Sequence, residues 1–247
     1  MDDPSNACIW LLKISPHYNF YYKSSTLADR DIDSIVKLQE SCYREITETL
    51  RIRIKNRITY YLCQTKKEVS EKAELDYECN EVTVLGDLEN PVIYAVYNED
   101  IKCIGAHEDT HAIVSQYAQP NSCAVVEGLA TCFDKQWKGV SNELCTFLYL
   151  EDGKYVSIAD MIEDDDFFME LDIDVSYPLM GAFTRYLIEK YGADLYMELY
   201  NLQSSWDEAF VNLYGQSLRD VEEGFKETIQ DTEYSLEELV ASKKVLY

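Results

Sequence analysis

Two of the three histidines in this chain stand four residues apart, at His107 and His111, and Glu108 directly follows the first of them. Residues four apart lie on one face of an α-helix, so both imidazoles can reach the same metal ion while Glu108 projects one step around the helix. From Ile101 onward the apolar residues follow a helical spacing, which predicts a helix through this segment. Because the chain has so few histidines, chance is a poor explanation, and we predict a zinc site here.

A carboxylate further along the chain, Glu127, is the predicted third ligand. It lies in the apolar segment 125–130, on a helix that we expect to begin at Asn121, since Asn is a favourable N-cap. An ionised carboxylate in apolar surroundings is costly unless a cation is near. A catalytic zinc ion takes three protein ligands and leaves the fourth position open for water, so His107, His111 and Glu127 make a complete set. The alternative is an exposed Glu127 on the polar face of an amphipathic helix.

Two of the eight cysteines, Cys103 and Cys123, lie close to these segments in sequence and are possible metal ligands. We favour small buried thiols, because the histidine and glutamate set is already complete. The cysteines are scattered without any C-x-x-C pair, so we expect reduced and mostly buried thiols. A secreted, disulfide-bonded protein is the alternative.

The first half of the chain alternates strand and helix patterns. Aromatic and β-branched residues predict strands at 18–22, 57–63 and 92–97, and apolar residues at a helical spacing predict a helix of about six turns from Thr26 to Leu50. This part is therefore expected to be α+β.

The second half is dominated by helical patterns. We expect a helix to start at 176–178, where a proline suits the first turn, and to stop at Gly192. Ser217 and Ser235 each precede an acidic residue by three positions, the spacing of a capping box. The acidic run 163–166 lacks the alternation of a calcium-binding loop and is expected to be a solvated loop.

The sequence His107-Glu108-x-x-His111 followed by Glu127-Gly128-Leu129-Ala130 resembles the gluzincins, the thermolysin-like zinc peptidases, and in particular their small peptidase MA-like branch. Segments 176–183 and 186–192 are similar to the helix that follows in that branch, and 20–22 to its opening, so the resemblance covers roughly residues 18–230. It implies one zinc ion per chain.

The resemblance also implies an α+β, zincin-like metallopeptidase fold. We expect a single catalytic domain over residues 1–247, made of a lobe of about 1–118, with a small mixed sheet and the active-site helix, and a helical lobe of about 119–247 that carries the third ligand. In this family a sheet edge borders the substrate cleft, and 92–97 is our candidate for that edge.

Two positions and one connection length depart from the family pattern. Many gluzincins place an aspartate four residues after the glutamate ligand to orient a zinc histidine, but Thr131 stands there. The connection of 15 residues between His111 and Glu127 is shorter than in thermolysin, and Asp109 replaces the usual apolar residue after the catalytic glutamate. The carboxylate that orients the histidines is therefore unassigned by sequence.

The expected activity is zinc-dependent hydrolysis of peptide bonds. Zinc-bound water is the expected nucleophile and Glu108 the general base that accepts its proton. The resemblance implies a further donor to the oxyanion from the downstream helix, and Tyr177 is our candidate. The alternative function is a zinc-binding or peptide-binding protein of gluzincin fold that does not cleave.

The charge composition limits the classes of binding partner. With 46 acidic and 22 basic residues, the net charge is -24, which disfavours nucleic acid and anionic membranes as partners. The expected partner is the peptide or protein substrate of the predicted hydrolysis. No apolar run approaches the ~20 residues that span a bilayer, and the N-terminus lacks a basic leader, so a cytoplasmic location is expected. The substrate, the choice between endopeptidase and aminopeptidase, and the oligomeric state are unassigned.

Overall fold

A computed structural model describes residues 9–85, 90–120, 122–201 and 205–246. The chain divides into two compact units, Met1–Tyr117 and Ala118–Tyr247. The first contains a sheet with three helices and the second is almost entirely helical, so the protein is of mixed α+β composition, as predicted.

The first unit is built on a five-stranded sheet in the order β1-β2-β3-β5-β4. The parallel strands β2, β3 and β5 form its centre, and β1 and β4 run antiparallel at its two edges. In chain order the elements are β1 (Trp10–Ile14), β2 (Tyr18–Lys23), α1 (Leu27–Leu50), β3 (Ile58–Cys63), α2 (Lys66–Ala73), β4 (Glu81–Val84), β5 (Val92–Val96) and α3 (His107–Val114).

The structure confirms the three predicted strands and the long helix α1, and adds β1, α2 and β4. The prediction that 92–97 forms a sheet edge is wrong, because β5 lies between β3 and β4. An internal strand pairs on both sides and suits the apolar sequence of β5, whereas the edge strand β4 carries polar Glu81 and Thr83.

One face of the sheet buries aromatic and aliphatic side chains beneath α1. Tyr18, Phe20 and Tyr60 are fully buried, and the rings of Tyr18 and Phe20 stack at 5.2 Å between centroids. Helix α1 contributes the buried residues Ile35 and Ile46, and it contacts both β2 and α3. The core of this unit thus holds α1 on the sheet, and α1 in turn holds α3 in place.

The second unit contains nine described helices and a two-stranded ribbon, and its helical character is as predicted. The elements are α4 (Cys123–Asp134), β6 (Gln136–Trp137), β7 (Val140–Ser141), α5 (Asn142–Glu151), α6 (Ile158–Glu163), α7 (Asp165–Glu170), α8 (Ile173–Tyr191), α9 (Ala193–Tyr200), α10 (Trp206–Tyr214), α11 (Leu218–Gln230) and α12 (Leu236–Leu246). The capping boxes are confirmed, since Ser217 accepts from the backbone of Asp220 and Ser235 from that of Glu238.

Helix α8 begins at Ile173, three residues before the predicted start, and Asp172 is its N-cap. Pro178 therefore lies inside the helix, where it cannot donate to the carbonyl of Asp174 four residues earlier. The hydroxyl of Tyr149 donates to that carbonyl instead, at 2.7 Å. A tertiary hydrogen bond thus replaces the helical one that Pro178 cannot make. The predicted stop is confirmed, with Gly192 as the C-cap at a φ of 93°.

Two other sequence predictions need correction in this unit. Ser122 is the N-cap of α4, and its hydroxyl accepts from the backbone of Val125; Asn121, the predicted cap, lies outside the described residues. The acidic run 163–166 is exposed but is not a loop, because Glu163 ends α6, Asp164 caps α7, and Asp165 and Asp166 lie in the first turn of α7. Asp and Asn favour helix starts because their side chains accept from free backbone amides. Across the described residues, no helix combines the length and apolar content that crossing a bilayer requires.

Candidate metal centre

The two histidines lie on the short helix α3, which begins at His107. Their rings are 5.0 Å apart between centroids and meet edge-on, and both side chains are half-buried. The predicted helix is confirmed, and its four-residue spacing brings the two imidazoles together.

His107, His111 and Glu127 form a group that can hold a metal ion. Each offers one ligand atom, a ring nitrogen or a carboxylate oxygen, and the three atoms lie within 4.8 Å of one another. Zinc bonds to such atoms at about 2.0–2.2 Å, so a common ion needs ligand atoms a few ångström apart. Two imidazoles and one carboxylate are also a donor set that catalytic zinc accepts. The residues therefore fit the predicted ion in both chemistry and spacing.

Glu108, the predicted base, is only 8% exposed. The hydroxyl of Thr83 on β4 lies 2.5 Å from its Oε2 and 3.2 Å from its backbone carbonyl oxygen. Thr83 was not singled out by sequence, because nothing local connects it to a residue 25 positions away. In the sequence, the polar residues of β4 were the one available indication that this strand contributes to the site.

Asp109, which stands where an apolar residue is usual, is fully buried, and its hydrogen bonds account for its presence there. Its Oδ2 accepts from the hydroxyl of Tyr18 at 2.5 Å, and the amide of Gln39 on α1 donates to the carbonyl of Gly105 just before α3. Burial raises the pKa of Asp109 well above its usual range, while hydrogen bonds from Tyr18 and Gln39 act in the opposite direction. These contacts join α3 to β2 and α1, and so hold the two histidines on a fixed support.

Glu127 is half-buried on α4, next to a glycine that packs against α8. A Cβ at Gly128 would stand 3.0 Å from the Thr184 hydroxyl oxygen and 3.1 Å from Met180 Cβ. Gly181 on α8 is the reciprocal contact, since a Cβ there would stand 2.9 Å from the side-chain methyl carbon of Thr131 on α4. Gly128 thus allows α4 and α8 to pack closely. Gly181 was missed, although a glycine inside a helical pattern is a recognisable packing signal.

Thr131, which stands where gluzincins often have an aspartate, is fully buried. Its carbonyl accepts from the Asn142 side chain at 2.8 Å, and its hydroxyl finds no partner among the described groups. Thr131 therefore supports the packing of α4, and the carboxylate that would orient a zinc histidine stays unassigned.

Tyr177 lies on α8 within an aromatic cluster. Its ring meets Trp137 edge-on at 5.5 Å and stacks with Phe168 at 6.0 Å between centroids. These contacts fix the ring, and the oxyanion role of its hydroxyl stays a prediction.

The two cysteines considered as ligands are half-buried free thiols. Burial raises the pKa of Cys103 to about 12 and also raises the pKa of Cys123. Burial thus favours the neutral thiol at both positions. None of the seven described cysteines is part of a disulfide, in line with the predicted reduced state.

Comparison with protein-family models gave no match, and a search of curated proteins likewise returned none.

Proposed function

We propose that this chain is a zinc-dependent peptidase of zincin-like fold that cleaves a peptide or protein substrate. The observation that carries the proposal is the His107, His111 and Glu127 group, whose ligand atoms lie within 4.8 Å of one another, with Glu108 on the same helix as both histidines. The mixed sheet that precedes α3, with an antiparallel edge strand, further supports the fold assignment.

His107, His111 and Glu127 would hold the zinc ion, which when bound would supply Lewis-acid chemistry for the scissile carbonyl and lower the pKa of a water molecule towards ~7. Glu108 accepts the proton of the attacking water and later donates it to the leaving amine. The Tyr177 hydroxyl donates to the oxyanion that develops on the substrate. The side chains would thus bind the metal, transfer a proton and stabilise the charge of the oxyanion.

The test combines metal analysis with cleavage. We expect the purified protein to contain about one zinc per chain by plasma mass spectrometry, and to cleave members of a generic peptide library whose products are then sequenced. Glu108→Gln is the control, because it keeps the metal ligands and removes the base. Its turnover should fall by at least ~10²-fold at unchanged zinc content. Wild-type turnover in this variant, or a zinc-loaded protein that cleaves nothing, would refute the peptidase proposal.

A further inference from the structure

The carboxylate of Glu108 is tied to the edge strand of the sheet by one hydroxyl group. Thr83 Oγ1 donates to Glu108 Oε2 at 2.5 Å, a distance typical of a charge-assisted hydrogen bond. The same hydroxyl lies 3.2 Å from the Glu108 carbonyl oxygen, so it contacts both the side chain and the backbone of this residue. The contact lies wholly within the first unit.

Strand geometry explains why Thr83 faces α3. Successive side chains of a strand point to opposite faces, and Val82 packs against the buried cluster of Cys63, Val69 and Val96. Thr83 therefore points to the other face, towards α3, which contacts β4. In the β4–β5 ladder Thr83 lies opposite Ile93, so pairing with an internal strand fixes its position along the sheet.

We propose that Thr83 is a positioning residue for Glu108. A glutamate side chain has three rotatable bonds, and a hydroxyl that engages Oε2 restricts them and leaves Oε1 to accept a proton. The catalytic consequence rests on the proposed peptidase function, whereas the contact itself does not. If Thr83 served only as a strand former, valine would replace it without loss, because valine is also β-branched and of similar shape.

The first test compares Thr83→Val, which removes the hydroxyl, with Thr83→Ser, which keeps it. We expect Thr83→Val to lower kcat by about 10–100-fold, with KM changed by less than about 2-fold and zinc content unchanged. Thr83→Ser should stay within about 3-fold of the wild-type kcat, since its hydroxyl can still donate. A wild-type kcat in zinc-loaded Thr83→Val, or equal losses in the two variants, would overturn the catalytic role.

The second test needs no activity and uses the protein after its metal has been removed by a chelator. Thr83→Val should lower Tm by roughly 3–8 °C in the presence of Glu108, and by no more than about half as much in a Glu108→Ala background, where the carboxylate acceptor is gone and only the backbone carbonyl remains. Equal shifts in both backgrounds would show that the hydroxyl does not bond to the Glu108 carboxylate, and the inference would then be wrong. If the wild type cleaves no peptide, the proposed function fails, and this cycle still decides whether Thr83 holds Glu108.

Discussion

Tyr18 donates a 2.5 Å hydrogen bond to Asp109, two residues from each candidate histidine, and both partners are fully buried. The bond links β2 to α3 across 91 positions of the chain. It gives a physical reason for an acidic residue inside the histidine motif, because a buried carboxyl group is tolerated when a donor meets it.

Tyr18→Phe should therefore destabilise the protein by about 1–3 kcal/mol, since it leaves a buried acceptor without its donor. The free energy of unfolding in urea measures this loss. Tyr21→Phe is the matched control, because Tyr21 lies three residues further along β2, is half-buried, and has its ring stacked on Tyr61. We expect its effect to stay within about 0.5 kcal/mol, and equal losses in the two variants would contradict a special role for Tyr18.

Replacement by alanine of any one of the predicted ligands, His107, His111 or Glu127, should reduce zinc affinity by more than 10–100-fold. Mutation of a residue that only hydrogen-bonds to a metal ligand already lowers the affinity by about 10–100-fold, and loss of a ligand itself should lower it further. The measurement is zinc retained after dialysis against a weak chelator. His17→Gln is the control, since this third histidine pairs with Glu40 at 2.6 Å. Full retention of zinc by the Glu127→Ala protein would show that the third ligand is misassigned.

Tyr177→Phe should lower kcat by about 10²-fold with little change in KM, zinc content or stability, because it removes one donor to the transition state while the ring keeps its packing on Trp137 and Phe168. Tyr186→Phe is the comparison variant on the same helix, because the Tyr186 hydroxyl already has a partner, the Lys190 ammonium group, at 2.5 Å. An unchanged kcat for Tyr177→Phe would assign this residue to packing alone, and a loss in the Tyr186 variant would transfer the role there.

Stability should depend on pH through Glu40. Burial raises the pKa of Glu40, but hydrogen bonds from Ser15 and from His17 lower it more strongly, and the net shift is downward. Folding thus favours the carboxylate, so the contribution of Glu40 is present above the unfolded-state value of about 4.3 and is lost as the pH falls through the lower, folded-state pKa.

The stability difference between wild type and Glu40→Gln should accordingly be about 1–2 kcal/mol at pH 7 and shrink below pH ~4.3. Urea unfolding of both proteins across this range measures it. Glu48→Gln, at an exposed position of the same helix, should differ little from wild type at any pH. A difference that persists undiminished at low pH would rule out the ionised Glu40 as its source.

Local periodicity and capping determined much of what could be predicted. The four-residue spacing of His107 and His111, the strand patterns of the first unit and the capping boxes at Ser217 and Ser235 all depend on neighbours within one or two turns, so the sequence alone reveals them. The same holds for the glutamate at position 127, whose apolar neighbours mark it as unusual. Zinc, peptidase activity and the role of Tyr177 remain predictions.

Only the tertiary structure decided which strand forms the sheet edge, what holds Glu108 and Asp109, and why Pro178 is tolerated inside α8. Each depends on residues far apart in sequence, with Thr83 lying 25 positions before Glu108 and Tyr149 lying 25 positions before Asp174. The sequence around a hydroxyl group on a strand or helix does not indicate its distant hydrogen-bond partner, because such bonds form only after the elements pack against each other. The sequence thus determined which residues have the chemistry of a metal site, and folding determined which side chains support them.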